Sequence, residues 1–270
     1  MSDILQRILA TKRREVAEAK SRVPLAELSA RVPDAPPLRD FTAAIRAKHA
    51  AGKPAVIAEI KQASPSAGNF RATLGGTFEP AKYARSYATH GAACLSVLTD
   101  QEYFQGSADD LIAARAACAL PVLRKDFIID PYQIVDARVM GADAVLFIMG
   151  SVDIALFREW EELALSLGLA VLAESHQASE LEQALTLKTP LVGVNNRDLT
   201  RFTTDVSTTL NLRAAVPAGR ILVTESGIIS PEIVERMQEN QISTYLIGGS
   251  LMGQADPGAG LTHLFGQRLV

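Results

Sequence analysis

The chain predicts an α/β protein: a closed (β/α)8, or TIM, barrel with an N-terminal helical extension. Three observations lead there. From residue 55 onward, eight short β-branched runs alternate with amphipathic stretches, the pattern of a parallel sheet covered by helices. No G-x-G-x-x-G follows any of these runs, whereas an open doubly wound sheet usually carries that loop after its first strand. A chain of 270 residues also suits one barrel, whose usual size is about 250 residues.

Taken in order, residues 1–54 come first. Ile4, Ile8 and Leu9, with a basic polar face running to Lys20, predict an amphipathic helix. A turn at Val32-Pro33-Asp34-Ala35-Pro36-Pro37 and a short helix around 41–47 follow. The segment has few apolar residues of its own, so it is expected to pack on the barrel, making 1–270 a single domain with eight βα units over 55–270. Strands are expected at 55–61, 93–98, 121–125, 142–149, 170–174, 191–195, 220–225 and 244–248. Helices should begin near Glu79, Ser107, Asp130, Asp153, Ala178, Asp205, Ser230 and Asp256. Ser107 and Ser230 are suitable N-caps ahead of early acids, the second with proline at the first helical position. Gly91, Gly141 and Gly168 stand where helices must stop before the next strand.

Composition removes several function classes. A net charge of -3 gives no general attraction to nucleic acid or anionic lipid. No run approaches the roughly 20 apolar residues of a membrane span, and no secretory leader is visible, so a cytoplasmic protein is expected. Cys94 and Cys118 show neither metal nor disulfide spacing. His49, His90, His176 and His263 are scattered, so no protein-bound metal is expected.

The strand ends carry the chemistry. Counting by two along the first strand puts Ile57, Glu59 and Lys61 on one side and Val56, Ala58 and Ile60 on the other. Charges are rarely buried unless paired or put to use. The third strand ends in Lys125, the fifth in Glu174, the sixth in Asn195 followed by Arg197, and the seventh in Glu225 and Ser226. Catalytic groups of a barrel gather at these carboxyl ends. Arg124 and Asp126 alternate to the other side and read as ion-pair partners outside the barrel. Glycines after the last two strands, Gly227 with Gly248 and Gly249, lie where such barrels hold phosphate on backbone N–H groups. On residues alone, a phosphosugar isomerase, a Schiff-base aldolase using Lys125 and a non-catalytic phosphosugar binder all stay open.

Five segments together resemble indole-3-glycerol-phosphate synthase: Ala58-Glu59-Ile60-Lys61-Gln62-Ala63-Ser64-Pro65-Ser66, Leu98-Thr99-Asp100 with Phe104-Gln105-Gly106-Ser107, Leu123-Arg124-Lys125-Asp126-Phe127-Ile128, Asn195-Asn196-Arg197-Asp198-Leu199 and Glu225-Ser226-Gly227-Ile228. The resemblance spans almost the whole chain, extension included. It implies ring closure, decarboxylation and dehydration of 1-(2-carboxyphenylamino)-1-deoxyribulose 5-phosphate in tryptophan synthesis, with no cofactor. It implies Lys125 as general acid, Glu174 as base, Lys61 as a possible second acid and Glu59 as an orienting or proton-sharing group. A lysine acts near neutral pH when burial and nearby cations lower its pKa, and Lys61 is the expected neighbour. Ser64, Asn195, Arg197 and Ser226 are implied substrate contacts, and Gly227, Gly248 and Gly249 the phosphate cradle. Pro65, Phe104, Phe127, Leu146 and Leu199 are implied to line an apolar slot. Gln62 and Ala67 depart from the basic residues of many relatives, and Gly249 from a serine found in some; weaker anion affinity is the expected effect. The only expected partner is the small phosphorylated substrate, with the chain a monomer or weak homodimer.

Overall fold

The computed structural model describes residues 3–65, 68–70, 76–198 and 203–269. Its centre is a barrel of eight parallel strands: β1 (Ala55–Ile60), β2 (Cys94–Leu98), β3 (Val122–Lys125), β4 (Ala144–Ile148), β5 (Ala170–Ser175), β6 (Leu191–Asn195), β7 (Ile221–Glu225) and β8 (Thr244–Ile247). Each strand pairs with its sequence neighbours, and β8 closes the ring on β1 from Ala55 opposite Thr244 to Ala58 opposite Ile247. All eight expected strands are present, with ends within two residues of the expected ones.

Alternation sorts the side chains as the sequence requires. Val56, Ala58 and Ile60 face outward and pack with Tyr83 and Tyr87. Ile57 faces inward with Leu123, Leu172, Val223 and Leu246. The outer layer is covered by α4 (Pro80–Thr89), α5 (Ala108–Ala117), α6 (Pro131–Met140), α7 (Ile154–Ser166), α8 (Ala178–Ala184), α9 (Ser207–Leu212), α10 (Pro231–Glu239) and α12 (Pro257–Phe265), with the four-residue α11 (Gly249–Met252) inserted after β8. The Ser107 hydroxyl accepts from the Asp110 N–H at 3.1 Å, satisfying a first-turn donor of α5. Gly141 ends α6 with φ at 93°, a left-handed conformation that costs other residues more.

The extension lies on the barrel at two places. Helix α3 (Phe41–Ala50) inserts the fully buried Phe41 and Ile45 into the same inner cluster as Ile57 and Leu123. Burying two such side chains contributes roughly 3–6 kcal/mol in total. Helix α1 (Asp3–Arg22) buries Leu5, Ile8, Leu9 and Val16. Its Lys12 ammonium lies 3.0 Å from both Asp100 and Asp126. Arg124 pairs with Asp126 at 3.1 Å and with Asp136 at 2.8 Å, so the expected ion pair outside the barrel is present and also ties down α1. Small elements escape sequence reading, among them helix α2 (Leu25–Ala30), α11 and a hairpin pairing Ala63–Ser64 with Gly68–Asn69. Each is shorter than the span over which periodicity can be recognised.

Candidate active site

A cavity of about 620 Å³ opens at the carboxyl ends of the strands. Fifteen of the sixteen residues singled out from the sequence line it: Glu59, Lys61, Ser64, Pro65, Phe104, Lys125, Phe127, Leu146, Glu174, Asn195, Arg197, Ser226, Gly227, Gly248 and Gly249. Leu199, the sixteenth, lies outside the described residues, as does Ala67.

The charged groups meet on the floor. Lys125 Nζ donates to Glu174 Oε2 at 2.7 Å and to Glu225 Oε2 at 2.9 Å. Lys61 Nζ donates to Glu59 Oε1 at 2.5 Å and sits 5.6 Å from the Phe70 ring centre. Asn195 Nδ2 donates to the other oxygen of Glu174 at 2.9 Å, and Asn195 Oδ1 accepts from the Arg197 N–H. Strand register explains how these groups fit. Glu174 pairs with Gly193, and a Cβ on Gly193 would stand 2.3 Å from Glu225 Oε1. The missing side chain in β6 is therefore the space that Glu225 occupies. Gly248 does the same for Glu59, whose Oε1 would lie 2.1 Å from an added Cβ. That gives Gly248 a packing role beside the phosphate role expected of it.

Protonation is set by this packing. Burial disfavours the ammonium of Lys125, but the charges of Glu174, Glu225 and Glu59 outweigh it, so Lys125 holds its proton more tightly than an ordinary lysine. The expected lowering by Lys61 is thus overturned: Lys61 is engaged with Glu59, and the neighbours of Lys125 are carboxylates. Glu174 resists burial because Lys125, then His176, favour its ionised form, and its pKa falls. Burial and the Glu174 charge push the Glu225 carboxyl up, and Lys125 offsets only part of that.

Above this floor the walls differ. Phe104 and Phe127, 6.1 Å between ring centres, form an apolar side with Leu146 and Pro65. Across from it, Ser226 adopts φ of 64°, uncommon for a residue with a side chain, and Gly227 follows at 81°. Gly249 opens α11 with nothing among the described residues nearer than Phe70 at 3.9 Å to an added Cβ.

Sequence reasoning left some cavity residues without a role. Glu225 was visible as a strand-end acid, but nothing in one strand reveals that it shares a lysine with another acid. Ile4, Leu5 and Ile8 of α1 also line the cavity. The apolar stripe was legible; its partner was not. Among the described residues no cluster of side chains has metal-ligand character, and no helix is long and apolar enough to cross a membrane.

Comparison with known proteins bears on the fold and the family. Two solved structures share the barrel at low identity: 3-hexulose-6-phosphate synthase (TM-score 0.58, 16% identity, covering 78% of this chain and 97% of that one) and the N-acetylmannosamine-6-phosphate 2-epimerase of Clostridium perfringens (TM-score 0.56, 14% identity, 78% and 91%). They support the TIM-barrel fold alone. A family model described as indole-3-glycerol phosphate synthase matches residues 5–264. Proteins named indole-3-glycerol phosphate synthase from Burkholderia vietnamiensis and a Polaromonas species are 57% and 54% identical, each covering 98% of this chain and 100% and 99% of their own lengths. This chain belongs to the indole-3-glycerol phosphate synthase family.

Proposed function

We propose that the chain converts 1-(2-carboxyphenylamino)-1-deoxyribulose 5-phosphate to indole-3-glycerol phosphate, releasing CO₂ and water, with Lys125 and Glu174 moving the protons. The observation that carries this reading is the Lys125 ammonium held between Glu174 and Glu225 on the floor of a cavity with one apolar wall and one glycine-rich wall. The apolar wall of Phe104, Phe127, Leu146 and Pro65 suits the anthranilate ring. The backbone of Gly227 and Gly249 suits the phosphate at the opposite end.

Between these anchors the reacting ketone sits over the lysine. Protonation of its oxygen by Lys125 makes the carbonyl carbon electrophilic as the aromatic carbon attacks. Loss of CO₂ then returns an electron pair to the ring. In the dehydration step Glu174 removes a proton, and hydroxide leaves as water with a proton from Lys61 or Lys125. Glu59 fixes Lys61, while Asn195 fixes Glu174 and positions Arg197 toward the anionic ligand.

The finer parts of this reading are a single folding unit of extension and barrel, working as a cytoplasmic monomer. The apolar face of α1, the surface expected to join two copies, is already buried on the barrel, which favours the monomer over the weak dimer. The direct test follows formation of indoleglycerol phosphate by absorbance or fluorescence from the anilino-deoxyribulose phosphate. Turnover supports the reading. Covalent trapping by borohydride instead would make the protein a Schiff-base enzyme.

A further inference from the structure

A second cavity, about 680 Å³ and mostly polar, adjoins the first. The two share Leu5, Asn195, Arg197 and Asp205, but Glu174 faces only the first and His176 only the second. One contact crosses between them: His176 Nε2 lies 3.4 Å from Glu174 Oε1. The far side of the same ring is held by α8. His176 Nδ1 is 3.3 Å from Glu180 Oε2, which also accepts from the His176 backbone N–H at 2.8 Å. Gln177 Nε2 donates to the other oxygen of Glu180 at 3.0 Å, locking the carboxylate. With Nδ1–H given to Glu180, a neutral ring turns the lone pair of Nε2 toward Glu174. Nε2 has no hydrogen-bond partner among the described residues.

We propose that His176 is a positioning residue that acts through Glu174, taking the proton the base has collected and passing it to solvent in the second cavity. This deepens, and rests on, the assignment of Glu174 as base. After Glu174 removes a proton from substrate carbon, its O–H gives that proton to Nε2. The imidazolium is neutralised by Glu180 and then yields a proton to water, which a polar space of this size readily takes up. The relay moves one proton from carbon to solvent, with no electron gained or lost, and leaves Glu174 ionised for the next cycle.

The groups facing His176 set its direction of response. Glu174 approaches from β5, Glu180 from α8 and Glu225 from β7, while Arg197, Asp198 and Asp205 line the second cavity beside it. Burial opposes the charged ring, but Glu180, Glu174 and Glu225 favour it and raise its pKa. A charged ring donates to Glu174 and cannot accept from it, so the relay works above that pKa and fails below.

The test uses the full-length enzyme with the anilino-deoxyribulose phosphate at saturation, in dilute buffer and with added imidazole. For His176→Gln we expect kcat to fall at least about 10-fold in dilute buffer, with KM little changed, and to recover as imidazole is added. For Glu180→Gln the acid limb of the kcat profile should move to lower pH, because the ring loses an adjacent negative charge. A folded His176→Gln enzyme with normal kcat, a loss that imidazole never restores, or an unmoved acid limb in Glu180→Gln overturns the relay. Glu174→Gln separates the two claims: turnover persisting there removes the base assignment and the relay with it. A dead Glu174→Gln beside an unaffected His176→Gln removes the relay alone.

Discussion

Replacing Lys125 by alanine removes an ammonium that donates at 2.7 Å and 2.9 Å to two buried carboxylates. Two effects follow, and they separate. Loss of a general acid lowers kcat by about 10²- to 10⁴-fold, equivalent to about 3–5 kcal/mol at the transition state. Truncating one partner of a buried ion pair typically costs a further 3–5 kcal/mol or so of stability, because the other charge is stranded. Here the stranded groups have an escape: Glu225 is already pushed toward its neutral form and can take a proton instead. The stability loss should therefore be modest near neutral pH, so the fold survives. Glu225 has a raised folded-state pKa, so its share of the stability is fully present below its unfolded value and is lost as pH rises through the folded one. Lys125→Arg keeps the charge and both carboxylate partners but holds its proton far too tightly to give it up. It should match wild type in thermal melting yet share the loss of kcat. The assay is indoleglycerol phosphate formation at saturating substrate, with circular dichroism as the folding check. Near-normal kcat in a folded Lys125→Ala enzyme would falsify the acid assignment.

Glu174→Gln should lose kcat by a similar factor; a change confined to KM would mark Glu174 as a binding residue only. Glu225→Gln removes one of the charges that raise the Lys125 pKa in the free enzyme, so the alkaline limb of the kcat/KM profile, which reports loss of the Lys125 proton before substrate binds, should shift to lower pH; an unmoved limb would contradict the pairing seen here. Lys12→Met leaves the buried Asp100 and Asp126 facing each other without their shared cation, at a cost of about 3–5 kcal/mol in urea unfolding at neutral pH. Asp126 has a depressed pKa despite burial, owing to Lys12 and Arg124. Its contribution is present above its unfolded value, about 3.9, and is lost as pH falls through the folded one, so the cost of Lys12→Met should shrink in acid; a pH-independent cost would refute the linkage.

The barrel was legible because its signals are local and repeated. Each strand displays its own period of two, and several helix starts carry their own cap, as at Ser107, Asp130 and Asp153, although the Ser230 side chain makes no capping bond. Strand-end lysines and glutamates were legible for the same reason, since a charge on an inward position announces itself within one strand. Which charge meets which was not legible. Lys125 finds Glu225 across 100 residues of chain and Lys61 finds Glu59 two residues away, and no spacing rule separates those outcomes. The same limit hid the use of Gly193 and Gly248 as room for carboxylates, because a missing side chain is informative only once its opposite number is known. The N-terminal helix was legible as amphipathic, while the destination of its apolar face was fixed by the Lys12 ion pairs, which sequence alone does not reveal.

A lysine whose proton is gripped by two carboxylates looks badly suited to donate it, and the same geometry contains the remedy. The grip is electrostatic, so it weakens when either partner loses its charge. Glu174 is tied into ionised form by Lys125, His176 and Asn195, whereas Glu225 has only the lysine to offset its burial and its repulsion from Glu174. Glu225 is therefore the partner that takes up a proton first when an anionic substrate adds negative charge to the cavity. Its neutralisation lowers the Lys125 pKa toward that of a usable acid while Glu174 stays ionised, as its proposed role as base requires. Two carboxyls in contact with one ammonium are thus pushed to opposite protonation states by their surroundings, the condition under which one cavity can supply an acid and a base together.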